Sequence, residues 1–156
     1  MKSLLVVFSY HHMNTEKIAR VFAKVLTAEI KPPQQIDPEE LQEYGLIGFG
    51  SGIDSGKHYK PILDLADKLP QVTNKKAFIF STSGLTGEKK AIEDHLALRE
   101  KLQSKGYIIV NEFQCKGFNT NSFMRFFGGM NKGRPNAYDL ENAEEFAQNL
   151  KRIVEK

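Results

Sequence analysis

Short apolar runs alternate along the chain with longer segments in which apolar residues recur at helical spacing. The short runs predict strands at residues 3–8, 45–49, 77–80 and 107–113, and a weaker fifth strand at 29–31. The longer segments predict helices over about 15–28, from about residue 60, over about 88–105 and from about residue 139. Strands of near-continuous apolar residues that alternate with helices indicate a parallel sheet covered on both faces.

The first helix illustrates the helical pattern. Ile18, Phe22 and Val25 fall on one face, which would pack against the sheet. With right-handed connections throughout, the economical topology is an open, doubly wound α/β sheet. Ligands bind such sheets beyond the carboxyl ends of the strands, near the point where strand order reverses. The segments to inspect are therefore residues 9–14, 50–59 and 81–87, together with the tail after residue 113.

Composition supports one domain over residues 1–156. The chain has 40% apolar and 26% charged residues and a single cysteine, Cys115. One cysteine excludes an internal disulfide, a zinc ribbon and an iron–sulfur ferredoxin. No apolar run approaches the roughly 20 residues that a membrane span needs, and the apolar start is too short for a signal peptide, so a cytoplasmic location is expected.

The net charge is +3, from 22 basic and 19 acidic residues, which is too small an excess to indicate nucleic-acid binding. Its distribution is uneven. Residues 113–138 hold four cations and no acid, whereas residues 37–43 hold four acids and no base.

The segment Ser9-Tyr10-His11-His12-Met13-Asn14-Thr15-Glu16 lies between the first strand and the first helix. Hydroxyl, amide and imidazole groups at a helix N-terminus favour an anion such as phosphate. Neither a Walker A motif nor a G-x-G-x-x-G fingerprint is present, which disfavours a nucleoside triphosphate or NAD. A polar loop with a helix cap also occurs in α/β proteins that bind nothing there.

This segment resembles the phosphate loop of the flavodoxin family, which wraps the phosphate of FMN. The resemblance implies a flavodoxin-like sheet of five parallel strands in the order 2-1-3-4-5. It also implies that FMN is the cofactor and that its phosphate is held by a loop comprising Ser9, His11, His12, Met13, Asn14 and Thr15. This sequence departs from the family in two ways: Met13 replaces the usual glycine, and His11-His12 replace the usual hydroxyl residues.

The second segment, Gly50-Ser51-Gly52-Ile53-Asp54-Ser55-Gly56, resembles the flavodoxin loop that borders the flavin ring, a pattern shared by flavodoxin-type protoporphyrinogen oxidases. Its glycines allow a close approach to a flat ligand and a peptide flip. The resemblance implies that Ser51, Gly52 and Ile53 lie near the ring and that Asp54, Ser55 and Gly56 border its N5 edge. For Lys57, His58 and Tyr59, ligand contact and a solvated helix start both remain open.

The third segment, Ser81-Thr82-Ser83-Gly84, again follows a strand and offers hydroxyl and N–H groups. The resemblance assigns Thr82, Ser83 and Gly84 to the pyrimidine side of the flavin. Taken alone, this segment would be interpreted as an ordinary turn. Three polar loops that follow three successive strands are harder to explain by chance, and they favour one ligand bound by all three.

A long connection over about residues 114–138 separates the last strand from the last helix. Its phenylalanines and cations suit a cap over a cofactor, a contact site for an acidic partner, or a small hydrophobic cluster. Cys115 and His95 are interpreted as packing residues, and no catalytic residue or metal site is predicted.

The resemblance favours an FMN-binding redox protein that carries electrons between partner proteins. Electron-carrier flavodoxins are acidic, so the basic charge here indicates either partners with acidic surfaces or a protein that is not a free carrier. The alternatives are a small FMN-dependent oxidoreductase acting on a quinone or porphyrinogen-like substrate, with that small molecule as electron acceptor, and a flavin-free binding module. No nucleic-acid partner is expected.

Overall fold

The computed structural model describes residues 2–9, 13–117 and 131–155. The strands are β1 (Ser3–Phe8), β2 (Glu29–Lys31), β3 (Leu46–Asp54), β4 (Lys57–His58), β5 (Lys75–Ser83) and β6 (Tyr107–Lys116). Five of them are parallel and form one sheet in the order β2-β1-β3-β5-β6, which is the predicted order once the short antiparallel strand β4 is set aside. The helices are α1 (Asn14–Leu26), α2 (Lys60–Lys68), α3 (Glu88–Ser104) and α4 (Ala137–Val154).

The helices cover both faces of the sheet because successive strand residues point to opposite sides. On one face Leu4 and Phe49 pack with Leu98 and other residues of α2 and α3. On the other face Leu5 and Phe22 belong to the layer formed with α1 and α4. Each layer is apolar, so the sheet has a core on either side.

The crossover from β2 to β3 contains two short 3₁₀ helices, Pro33–Gln35 and Pro38–Glu43. In the second, the Asp37 carboxylate accepts the Glu39 N–H at 3.1 Å and closes a capping box with Glu40. Acidic side chains are favourable at the start of a helix, which explains the acidic run of the sequence. This run precedes β3 and therefore lies towards the amino ends of the strands.

The strands at the centre of the sheet extend further than predicted. Residues 50–54 belong to β3, although their glycines indicated a loop, and residues 57–58 pair with them as β4. Glycine fits this strand because the rings of Phe78 and Phe80 lie over Gly48 and Gly50 and leave no room for a Cβ. The connection to α4 is shorter than predicted, since β6 continues to Lys116 and α4 begins at Ala137. Among the described residues, no helix is both long and apolar enough to cross a membrane.

Candidate functional site

The carboxyl ends of β1, β3 and β5 meet at one edge of the sheet. Phe8 of β1 pairs with Ser51 of β3, and Ser51 pairs with Ser81 of β5. One step further, Gly52 pairs with Thr82. The three segments singled out in the sequence therefore leave the sheet at the same level and side by side.

The first segment is shaped by Met13, the residue before α1. Its φ of 53° and ψ of 34° place it in the left-handed region, where glycine is the easier occupant. Met13 thus adopts a backbone conformation suited to glycine, and its side chain is 49% exposed. The Ser9 hydroxyl accepts the Glu16 N–H at 3.3 Å, so Ser9 lies against the first turn of α1. The predicted phosphate ligands His11 and His12 lie outside the described residues.

A hydrogen bond joins the first and third segments. The hydroxyl oxygens of Thr15 and Thr82 are 2.8 Å apart, and both side chains are buried. Asn14 is buried beside them, with its amide close to the backbone of Gly117, the residue that follows β6. Three predicted site residues, Asn14, Thr15 and Thr82, are therefore held together by tertiary contacts.

The second segment is a hairpin. Asp54 pairs with Lys57, and the two residues between them have positive φ, 53° at Ser55 and 78° at Gly56. This is the backbone pattern of a type I′ turn, which matches the twist of a two-residue hairpin. Asp54, Ser55 and Gly56 are exposed at its tip, while Ile53 is half-buried.

The base of the hairpin uses two other predicted site residues. Ser51 is fully buried; its hydroxyl donates to the Gly52 carbonyl at 2.6 Å and accepts the Tyr59 N–H at 3.1 Å. A Cβ on Gly52 would lie only 2.7 Å from the Tyr59 ring. Ser51 and Gly52 therefore support the hairpin from beneath, and Ile53, Asp54, Ser55 and Gly56 form its upper part.

The third segment is fastened by the chain on either side of residues 118–130. The Ser83 carbonyl accepts the Gly117 N–H at 3.1 Å, and the Gly84 carbonyl accepts from the Asn131 side-chain amide at 2.7 Å. Asn131 is a contact that sequence reasoning missed. Nothing in the pattern separates this asparagine from the others in the long connection.

Beneath the hairpin lies a buried polar cluster that sequence reasoning also missed. His58 is 1% exposed, so the alternative of a solvated helix start was wrong for this residue. His95 is fully buried, as a packing role predicts, and its ring lies 5.0 Å from that of His58. Burial, together with the neighbouring His95, lowers the pKa of His58 from 6.5 to about 3. A histidine in register with Leu98 and Leu102 signals burial, but its partners are distant in sequence.

Glu112 of β6 is the acidic member of this cluster. Burial raises its pKa, but hydrogen bonds from His95 and Arg99 outweigh burial and lower the pKa to about 2. Glu112 is therefore a carboxylate at any ordinary pH. Cys115, further along β6, is buried in the other core layer, and burial raises the pKa of its thiol to about 12, which fits its predicted packing role.

Exposed lysines surround the three segments. Lys57 begins β4, Lys60 begins α2 and pairs with Asp64 at 2.7 Å, Lys89 lies in the first turn of α3, and Lys132 precedes α4. Asp54 and Glu88 are acidic side chains exposed at the same edge. The 3₁₀ helix rich in acids lies towards the opposite end of the strands, where Lys2 pairs with Glu43 and Lys31 with Glu40.

Comparison with known proteins agrees with this geometry. A family model described as a flavodoxin domain matches residues 5–152. The uncharacterised protein MJ0298 of Methanocaldococcus jannaschii is 48% identical over 150 residues, covering 96% of this chain and 98% of that protein. Among solved structures, oxidised flavodoxin 2 of Bacillus cereus is similar with a TM-score of 0.74 and 20% identity, covering 97% of this chain and 99% of that one. A flavodoxin from the domain Archaea is similar with a TM-score of 0.66 and 16% identity, covering all of both chains.

Proposed function

Because the chain belongs to the flavodoxin family, we propose that it binds FMN at the carboxyl ends of β1, β3 and β5 and carries electrons between partner proteins. FMN, when bound, supplies the electron chemistry in one- or two-electron steps. The observation that carries the proposal is the Thr15–Thr82 hydrogen bond, which joins two of the three candidate loops at the edge where ligands of such sheets bind.

The first segment would hold the phosphate. It leads into a helix of 13 residues, and the residue before that helix, Met13, provides no side-chain hydrogen bond to the first amide groups. Those amides and the positive end of the helix dipole favour an anion. The carboxylate of Glu16 is paired with Arg20 at 3.1 Å, which limits its repulsion of a phosphate. Ser9, Asn14 and Thr15 would complete the site with His11 and His12.

The second and third segments would hold the ring. The exposed turn at Ser55 and Gly56 would border the N5 edge, with Ile53 packed against the ring and Asp54 beside it. Thr82, Ser83 and Gly84 would face the pyrimidine side with their hydroxyl and N–H groups. Ser51 and Gly52 would act from beneath, by fixing the hairpin that carries the turn.

Titration of the protein with FMN tests this site through three threonine-to-valine variants. Thr15→Val and Thr82→Val each remove one hydroxyl of the bonded pair and keep the side-chain shape. Thr73→Val makes the same change at an exposed position near the amino end of β5. In this proposal each of the two hydroxyls also contacts FMN, and one net hydrogen bond to the cofactor is worth about 1 kcal/mol. The first two variants should therefore bind FMN roughly fivefold more weakly, and Thr73→Val should bind it as the wild type does.

Three outcomes would each contradict a part of the proposal. If the wild-type protein binds no FMN, as followed by the visible absorption of the flavin, a flavin-free binding module is the function to pursue. If it binds FMN but both site variants match Thr73→Val, the cofactor lies elsewhere. Saturable turnover of a quinone by the FMN-loaded protein would identify an oxidoreductase rather than a carrier.

The lysines around the site indicate the electrostatic character of the partners. Exposed cations at the candidate ring edge would attract redox proteins whose docking surfaces are acidic. The rate of electron transfer to an acidic partner should therefore fall with increasing ionic strength. A rate that rises with salt would contradict this assignment.

A further inference from the structure

Two buried imidazoles lie between the hairpin and α3: one bonds the hairpin to the central strand β5, and the other bonds α3 to the same strand. His58, in the second arm of the hairpin, donates its Nε2–H to the Phe80 carbonyl at 2.9 Å. His95, on α3, lies with its Nε2 2.7 Å from the Ser81 hydroxyl. The two rings are 5.0 Å apart. The imidazoles therefore bond adjacent residues of β5, Phe80 and Ser81, and Ser81 is the first residue of the third segment.

The hydrogen bonds around His95 have a definite direction. The Glu112 carboxylate accepts from Arg99 Nε at 2.7 Å and Nη2 at 2.6 Å, and it accepts from His95 Nδ1–H at 2.8 Å. The Ser81 oxygen accepts from the Gln114 amide at 3.1 Å. The Ser81 O–H is then left to donate to His95 Nε2. Each ring nitrogen of His95 thus has one partner, and the ring orientation is fixed from β6.

Charged groups reach this pair from the elements packed around it. His58 faces His95 and, further away, the acids Asp94 of α3 and Glu112 of β6. Asp94 is paired with Lys90 at 2.5 Å, and Gln114 also donates to it at 2.9 Å. Both acids therefore have cationic partners, with Arg99 serving Glu112.

The hairpin needs such an anchor. Its ladder contains only two residue pairs, Ile53 with His58 and Asp54 with Lys57. A hairpin this short is not stable by itself in water. Its tip is exposed, so its position must be set from its base, where the Ser51 hydroxyl and the His58 imidazole make the polar contacts. An apolar side chain at position 58 would fill the space without fixing direction, whereas a buried hydrogen bond specifies one arrangement.

We propose that His58 and His95 are positioning residues: they form a bridge through which α3 and β6 hold the Ser55–Gly56 turn at the edge of the flavin. This proposal rests on the proposed function for its consequence at the cofactor. The bridge itself is a property of the chain and is testable without FMN. Neither histidine touches the candidate ring site; each acts through β5.

Amide hydrogen exchange of the ligand-free protein tests the bridge. His58→Gln places an amide donor near the position of Nε2 and should keep the contact with Phe80. His58→Leu removes the donor, and exchange across residues 51–59 should rise at least tenfold, against less than threefold for His58→Gln. Ile62→Ala truncates a buried residue of the same core layer and serves as the control for a general loss of stability. It should not raise exchange in this segment selectively.

A second variant keeps the test decisive if His58→Leu does not fold. His95→Asn retains a donor near Nδ1 for Glu112 and removes the contact with Ser81. Exchange across residues 51–59 should again rise more than in Ile62→Ala. Unchanged exchange in the folded His58→Leu protein, or in His95→Asn if His58→Leu does not fold, would overturn the bridge.

The consequence at the cofactor is measured by redox titration of the FMN-loaded proteins. His58→Leu should change the ratio of the two one-electron equilibrium constants about tenfold, which corresponds to about 59 mV in the separation of the potentials, while His58→Gln stays near wild type. Unchanged potentials together with raised exchange would show that the bridge does not position the turn for the flavin. Failure of the wild type to bind FMN would refute the proposed function and this consequence, and the exchange measurement would still decide the bridge.

Discussion

The buried imidazole of His58 makes the stability of the protein depend on pH. Its pKa is about 3 in the folded protein, against 6.5 for an unperturbed histidine. Between these values the unfolded chain binds a proton at His58 that the folded chain does not. The contribution of neutral His58 is therefore fully present above pH 6.5 and is lost as pH falls towards 3. The free energy of unfolding should therefore already decrease at mildly acidic pH, below about 6.5, while the protein is still folded.

The size of this effect follows from linkage. One pH unit below the unfolded pKa corresponds to about 1.4 kcal/mol, so the free energy of unfolding should fall by about 2 kcal/mol between pH 7.5 and 5.0 because of His58 alone. Glu112 does not contribute in this range. Its pKa is lowered from 4.5 to about 2, so its stabilisation is present above pH 4.5 and is lost only at lower pH.

Urea unfolding at several pH values, followed by circular dichroism, measures the effect in wild type and in His58→Gln. The glutamine can keep the hydrogen bond to Phe80 but cannot titrate. The free energy of unfolding of the wild type should therefore fall by about 2 kcal/mol relative to that of His58→Gln from pH 7.5 to 5.0. Parallel pH profiles would refute the reasoning, because they would mean that His58 binds its proton equally in the folded and unfolded chain.

Three further results are expected. The Cys115 thiol, buried and with its pKa raised to about 12, should not react with Ellman's reagent until the protein unfolds; rapid reaction of the folded protein would show that the site opens. Gly106→Ala should cost at least about 3 kcal/mol of stability, because φ is 98° and a Cβ would overlap the Val72 carbonyl. Gly133→Ala, at φ 84° with no atom of the described residues within 4 Å of an added Cβ, should cost about 1 kcal/mol, and equal losses in urea unfolding would contradict the steric difference. Gly56→Pro cannot keep φ at 78° and should shift the potentials of the FMN-loaded protein; an identical redox titration would remove the turn from the site.

The layout of the sheet could be predicted because apolar periodicity is a local signal. The bounds 3–8 and 29–31 agree with β1 and β2. The end of β3 could not be predicted in this way, because glycines such as Gly50 and Gly52 are typical of loops when the sequence is taken alone. Their place in a strand depends on the Phe80 ring packed over Gly50 and the Tyr59 ring packed over Gly52, a contact between segments that the sequence pattern does not show.

The candidate site divides in the same way. The segments after β1, β3 and β5 are recognisable from their polar residues, and the contact between Thr15 and Thr82 brings two of them together. The buried cluster was missed because its members are ordinary when taken singly. Ser81 resembles a turn residue, and Glu112 resembles a solvated strand position. Only the packing of α3 between the hairpin and β6 makes them partners.

The two glycines and two phenylalanines at the centre of the sheet also specify the alignment of β3 with β5. Gly48 pairs with Phe78 and Gly50 with Phe80, so each large ring covers a residue without a side chain. A shift of one residue would send both rings to the opposite face of the sheet. A shift of two would set one of them beside Leu46 or Gly52 and leave a glycine uncovered. The alternation of small and large residues thus selects one register of β3 against β5. A larger residue at either glycine would be tolerated best together with a smaller residue at its paired phenylalanine.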